Sequence, residues 1–150
     1  VAYSIAVRLS VFYCGGARRG ENMGNIFIIS NNTLALAKYN CAIKVEGDVG
    51  AVFEAARDRI YQGAKLISHP LSGSVKPNQG PYKSIVLSAT LTDAVDITSL
   101  TLIEQAIATL RKLPVLHRQY SELVHQDFQV VDLDLLDSAM KALTNVECRI

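Results

Sequence analysis

Charge is scarce in this chain. Asp, Glu, Lys and Arg make up 19% of its 150 residues, and the net charge is +1. Nucleic acid and anionic lipid surfaces are held by a basic surplus or a basic stripe. Here Lys and Arg are scattered, most with an acidic neighbour, so the composition argues against both partners. Cysteine is sparse as well. Cys14, Cys41 and Cys148 are odd in number and widely spaced, with no Cys-x-x-Cys. That argues against a disulfide framework or a zinc knuckle and for a reducing compartment. No apolar run approaches the roughly 18–20 residues that span a bilayer. The phosphate loop Gly-x-x-x-x-Gly-Lys-Ser/Thr and the nucleophile elbow Gly-x-Ser-x-Gly are both missing. No repeat, low-complexity tract or interdomain linker occurs, and no metal or cofactor is expected.

What is present is a large apolar fraction, 49% of the residues. It suffices for a buried core in a single domain over residues 23–150. The first 22 residues, "VAYSIAVRLSVFYCGGARRGEN", do not share the pattern that follows. Arg8 interrupts their apolar patch and Arg18-Arg19 follows it, the reverse of a signal peptide. Arg18-Arg19 can be encoded AGG-AGG, a ribosome-binding sequence, three codons before Met23. Residues 1–22 therefore read as a translated leader or a disordered extension. Without Arg8, Arg18, Arg19 and Glu21 the charge balance turns slightly acidic.

From Met23 strands and helices alternate. "IFIIS" (26–30), "CAIKVEG" (41–47), "KLIS" (65–68), "SIVLSA" (84–89) and "FQVVDL" (128–133) read as strands. A short helix is expected in "TLALAKY". A longer one is capped by Asp48, with Val49, Val52, Phe53, Ala56 and Ile60 on one face and Gly63 as a left-handed C-cap. A third is capped by Asp96 and stopped by Pro114. "VLHRQYSELVHQ" suggests a further short helix, and Leu133, Leu136, Met140 and Leu143 a last one. The pattern predicts an α/β fold: one three-layer domain, a mostly parallel sheet of about five strands and helices on both faces. Ligands bind such sheets at the strand C-termini. Ser30–Thr33, residues 68–84 and Asp132–Asp134 qualify by position.

The most informative of these is "SHPLSGSVKPNQGPYKS" (68–84). A connection of this length is uncommon in a compact domain. Pro70, Pro77 and Pro81 lower the entropy cost of one shape, and Leu71, Val75 and Tyr82 supply packing groups. Ser72, Gly73 and Ser74 have the make-up of an anion-binding nest. Lys76 and Lys83 add charge, and His69 a titratable donor. Phosphate, carboxylate or acyl phosphate suits such a site; the alternatives are a structural loop and a partner-docking loop. Asn78, Tyr82, Asn31 and Asn32 complete the candidate ligand-binding set, although the two asparagines are also plain turn formers. His69 beside a proline reads first as a structural donor, and no acid in the stretch orients it, so a hydrolase triad is disfavoured. His117 and His125 lack a third metal ligand. Asp132, Asp134 and Asp137 read as caps of the last helix.

"HPLSGSVKPN", two variable positions (Gln79 and Gly80), then "PYKS" resembles the signature of the GrdX family. "IFIISNN", "ARDRIYQGAKLISHPLSG" and "DFQVVDLDLLDSAM" are similar too, so the resemblance runs from about Met23 to Leu143. It implies a cytoplasmic accessory or regulatory protein of the glycine, sarcosine and betaine reductase system of amino-acid fermentation. That system uses selenoproteins and yields acetyl phosphate. The resemblance assigns no catalytic residue. Three functions remain open. The first is binding of a small anionic metabolite through residues 69–84. The second is docking of a reductase-system protein by the same loop, with Tyr82 and Leu71 as anchors. The third, ranked last, is a small enzyme with His69 as acid or base.

Overall fold

The computed structural model describes residues 25–73 and 76–147. The leader reading of residues 1–22 and the contributions of Ser74 and Val75 lie outside the described residues. In chain order the elements are β1 (Ile26–Ser30), α1 (Thr33–Lys38), β2 (Ala42–Lys44), α2 (Val49–Tyr61), β3 (Ser84–Ser88), α3 (Ile97–Lys112) and α4 (Glu122–Glu147). A single 3-10 turn at His117–Gln119 precedes α4.

The strands are short, apolar and rich in β-branched residues, and their side chains alternate between two faces. Ile28 and Val86 point to one side, where they are buried with Ala35 of α1 and with Leu136 and Met140 of α4. Ile29, Ile85 and Leu87 point to the other and meet Val52, Phe53, Ala56 and Ile60 of α2 and Ile103, Ala106 and Ile107 of α3. Helices thus cover both faces, and the domain is α/β in three layers.

The sheet itself differs from the expectation. Among the described residues it has three strands in the order β2-β1-β3, not five. β1 and β2 are parallel, whereas β3 runs antiparallel to β1, with Ile26 opposite Ser88 and Ser30 opposite Ser84. Two features of the chain explain the difference. First, "KLIS" makes only one isolated antiparallel bridge, Leu66 to Leu87. Ile67 N donates to Val86 O at 2.9 Å and Ser88 N to Lys65 O at 2.9 Å. This segment lies along the outer edge of β3, and the loop that follows it closes a wide hairpin. No helix intervenes to carry the chain across for a parallel pairing.

Second, "FQVVDL" is helical and lies inside α4. Val130 and Val131 made it look like a strand, but they are 59% and 52% exposed. The buried positions are Asp132, Leu136 and Met140, spaced four apart on one helical face. Packing of that face on Ile28 and Val86 overrides the strand propensity of the valines. Asp132 is consequently a mid-helix residue and not a cap.

The local signals at the other ends hold. Asp48 accepts from Ala51 N at 3.1 Å, and Asp96 accepts from Ser99 N at 2.9 Å and Ser99 Oγ at 2.6 Å. Those Ser99 hydrogen bonds hold the Asp96 carboxyl below the usual carboxylate range. α3 ends at Lys112, two residues before Pro114.

Candidate functional site

Antiparallel pairing leaves the long loop where the sequence reading wanted it. The C-terminus of β1 and the N-terminus of β3 lie side by side as the Ser30–Ser84 pair. The loop that enters β3 therefore sits at the same sheet edge as Asn31 and Asn32.

A buried polar network holds this edge together. Ser84 N donates to Asp132 Oδ1 at 2.9 Å and Ser84 Oγ to Asp132 Oδ2 at 2.7 Å. Asn32 Nδ2 donates to the same Oδ2 at 2.9 Å and to Gln129 O at 2.9 Å. With its proton committed to the carboxylate, Ser84 Oγ accepts from Ser30 Oγ, 2.8 Å away, and Ser30 Oγ in turn accepts from Asn32 N. The chain of donors thus runs one way, towards Asp132. Asn32 Oδ1 also caps α1 by accepting from Leu34 N at 3.0 Å. Asn31 Nδ2 donates to Gly47 O and Pro81 O, and its Oδ1 accepts from Lys83 N at 2.9 Å. Both asparagines have their polar groups occupied by protein and act as clamps.

The described residues of the loop are pinned at several points. Ser72 N donates to His69 O at 3.0 Å, and His69 Nδ1 accepts from Leu71 N at 3.1 Å, so one ring nitrogen of His69 is committed to its own turn and the residue is exposed. Gly73 adopts φ +72 against Leu135 of α4; a Cβ there would lie 2.4 Å from Leu135 Cδ1. Asn78, at φ 70, donates Nδ2 to Leu110 O at 2.7 Å and Leu113 O at 3.1 Å. It thereby reinforces the C-terminus of α3, where Leu110 O also accepts from the capping Leu113 N at 3.2 Å. Replacing Asn78 with Gly keeps the left-handed backbone and removes only the cap; a loss of about 1 kcal/mol in urea unfolding is expected. Tyr82 OH lies 3.5 Å from His125 Nδ1, ring edge to ring face. Burial, and secondarily Glu122, push its phenol pKa up.

Between loop and helices lies a cleft of about 260 Å³. Val49 and Phe53 of α2, Leu110 of α3 and Phe128 of α4 supply apolar walls. Gly73, Lys76, Asn78, Tyr82 and Lys83 line it from the loop, and Asp132 from α4. Of the candidate residues named from sequence, His69, Ser72, Asn31 and Asn32 stand outside the lining. The apolar walls were not anticipated; Asp132 had qualified by position, but as a helix cap and not as a buried acceptor on the Asp132–Leu136–Met140 seam.

Lys83 is the distinctive group. It is only 8% exposed, and its Nζ donates to Ser72 O at 2.6 Å. None of the ion pairs among the described residues involves it. Both oxygens of nearby Asp132 are taken by Ser84 and Asn32. Burial pushes the Lys83 pKa down, and the field of Asp132 offsets this only in part. Between its folded and unfolded pKa the unfolded chain binds more protons, so stability rises with pH across that window and is flat below it. The difference between wild type and Lys83→Met should show this rise in unfolding titrations towards alkaline pH.

The described residues contain no cluster of His, Cys, Asp or Glu that could hold a metal, and no helix long and apolar enough to cross a membrane. Residues 27–141, from within β1 to within α4, match the family model described as GrdX-like protein. The chain belongs to the GrdX-like family. The matched span includes the whole loop and every residue of the cleft. No curated protein and no solved structure matches.

Proposed function

We propose that this GrdX-like chain is an accessory protein of the glycine reductase system that holds a small anionic metabolite in the cleft between residues 71–83 and α4. Family membership supports the setting. The observation that carries the ligand is Lys83: a nearly buried ammonium on the wall of an apolar cleft, with no carboxylate paired to it. A bound carboxylate or phosphate would supply the missing countercharge, and Lys76 at the exposed rim adds a second cation. The docking reading is less well supported, because Leu71 packs against the main core and Tyr82 lies against His125.

Thermal-shift and calorimetric titrations with phosphate, acetyl phosphate, glycine and betaine test the reading. Ligand at 100 times its Kd is expected to add about 2.7 kcal/mol of stability. Lys83→Met should abolish the shift. Because the anion favours the charged amine, binding takes up a proton once the pH exceeds the depressed Lys83 pKa, and affinity then falls as pH rises. The absence of a shift with all four compounds, or a shift that survives Lys83→Met, would sink the reading.

A further inference from the structure

Lys83 has a chemistry that Lys76 lacks. Its backbone is clamped by Asn31. Its Nζ is steered by one hydrogen bond to a neutral carbonyl, that of Ser72, and the residue lines a cleft walled by Val49, Phe53, Leu110 and Phe128. An amine without a paired carboxylate, desolvated in apolar surroundings, is the arrangement that makes lysine a nucleophile towards carbonyl carbon.

We propose that Lys83 Nζ condenses reversibly with a short-chain oxo acid admitted to the cleft, holding it as an imine. This rests on the reading of the cleft as the ligand site and names the ligand class. The lone pair of the neutral amine attacks the ketone carbon, forming the C–N bond while the carbonyl π pair moves to oxygen. A proton passes from nitrogen to that oxygen, giving the carbinolamine. The remaining nitrogen lone pair then forms C=N as the hydroxyl leaves with a proton as water. Nothing is oxidised or reduced, and water is the only product released. The apolar walls take the alkyl chain, and Lys76 at the rim meets the carboxylate. Ser72 O holds one N–H and leaves the lone pair available. Burial, which lowers the Lys83 pKa, raises the fraction of free base near neutral pH, about tenfold for each unit of lowering.

The test uses the full chain with 2-oxobutyrate and cyanoborohydride, which reduces the imine to a stable secondary amine. Intact mass and peptide mapping are expected to show one adduct, on Lys83, formed at least about tenfold faster than on exposed Lys44, Lys65 or Lys76. Lys83→Arg keeps the cation and cannot condense. It should lose the fast adduct while unreactive butyrate still raises its Tm. Adducts spread over the exposed lysines at the rate found on Lys83, or a fast adduct retained in Lys83→Arg, would overturn the proposal. Because the wild-type map reads Lys83 directly, the proposal remains falsifiable if the arginine variant fails to fold. Butyrate binding without a Lys83 adduct overturns the imine and leaves the anion site standing. A Lys83 adduct without butyrate binding supports the imine and counts against the anion site.

Discussion

Asp132→Ala should cost this fold about 3–5 kcal/mol, enough to lower its Tm by roughly 10 °C. Asp132 is 6% exposed and accepts three hydrogen bonds, from Ser84 N, Ser84 Oγ and Asn32 Nδ2. Removing the carboxylate strands those donors at a site with little access to water, and it also removes the negative charge that partly offsets Lys83. The damage falls on the joint between α4, β1 and β3, the elements that frame the loop. Asp132→Asn retains one accepting oxygen but sets an N–H₂ group against donors already aimed at that position. It should fall between wild type and alanine. Urea unfolding followed by circular dichroism reads both variants. An Asp132→Ala protein within about 1 kcal/mol of wild type would mean that the network contributes no more than one ordinary hydrogen bond.

Gly63→Ala has an expected cost of about 3 kcal/mol, for a reason unrelated to polar groups. Gly63 ends α2 at φ +101, and a Cβ added there would lie 2.0 Å from the backbone oxygen of Thr92. Two penalties combine: a left-handed conformation that L-residues rarely adopt and a clash with main chain. The strand-to-α3 connection would have to retreat. Its retreat would break the bonds that Thr92 N and Thr92 Oγ1 donate to Gly63 O, at 3.0 and 3.2 Å. Gly50 is the control. It sits in the first turn of α2, where the nearest neighbour of an added Cβ is Asp48 Oδ1 at 3.1 Å, a side-chain atom able to move. Gly50→Ala should therefore change stability by much less than Gly63→Ala, and equal effects in thermal unfolding would refute the steric account. Neither glycine touches the cleft, so ligand binding by folded Gly63→Ala should survive wherever the protein is still native.

Both effects bear on how much of this molecule was legible in its sequence. Gly63 was legible: a glycine one turn past an apolar seam that begins at Asp48 is a local signal, read within a few residues. So were the caps at Asp48 and Asp96, the stop before Pro114, and the strands at 26–30 and 84–88. So was the family, whose signature lies in residues 68–84 and whose model matches residues 27–141. Asp132 was not legible in its role. Its partners are 48 and 100 residues away along the chain, and "FQVVDL" carries strand propensity in isolation. Only the surface offered by Ile28 and Val86 selects the helical period there. The direction of β3 was hidden for the same reason: strand pairing is a non-local choice, and the wide hairpin return beside "KLIS" decided it.

The sequence by itself determined where elements start and stop, because capping, turn and breaker chemistry act over one or two turns of chain. The tertiary structure alone decided which candidate groups face the cleft. The two asparagines and one ring nitrogen of His69 are committed to groups of the protein itself, and Lys83, next to Ser84 in a strand entry, is buried without a paired acid. Burial and pairing depend on what other segments bring to the same place, and that information is spread over the whole chain.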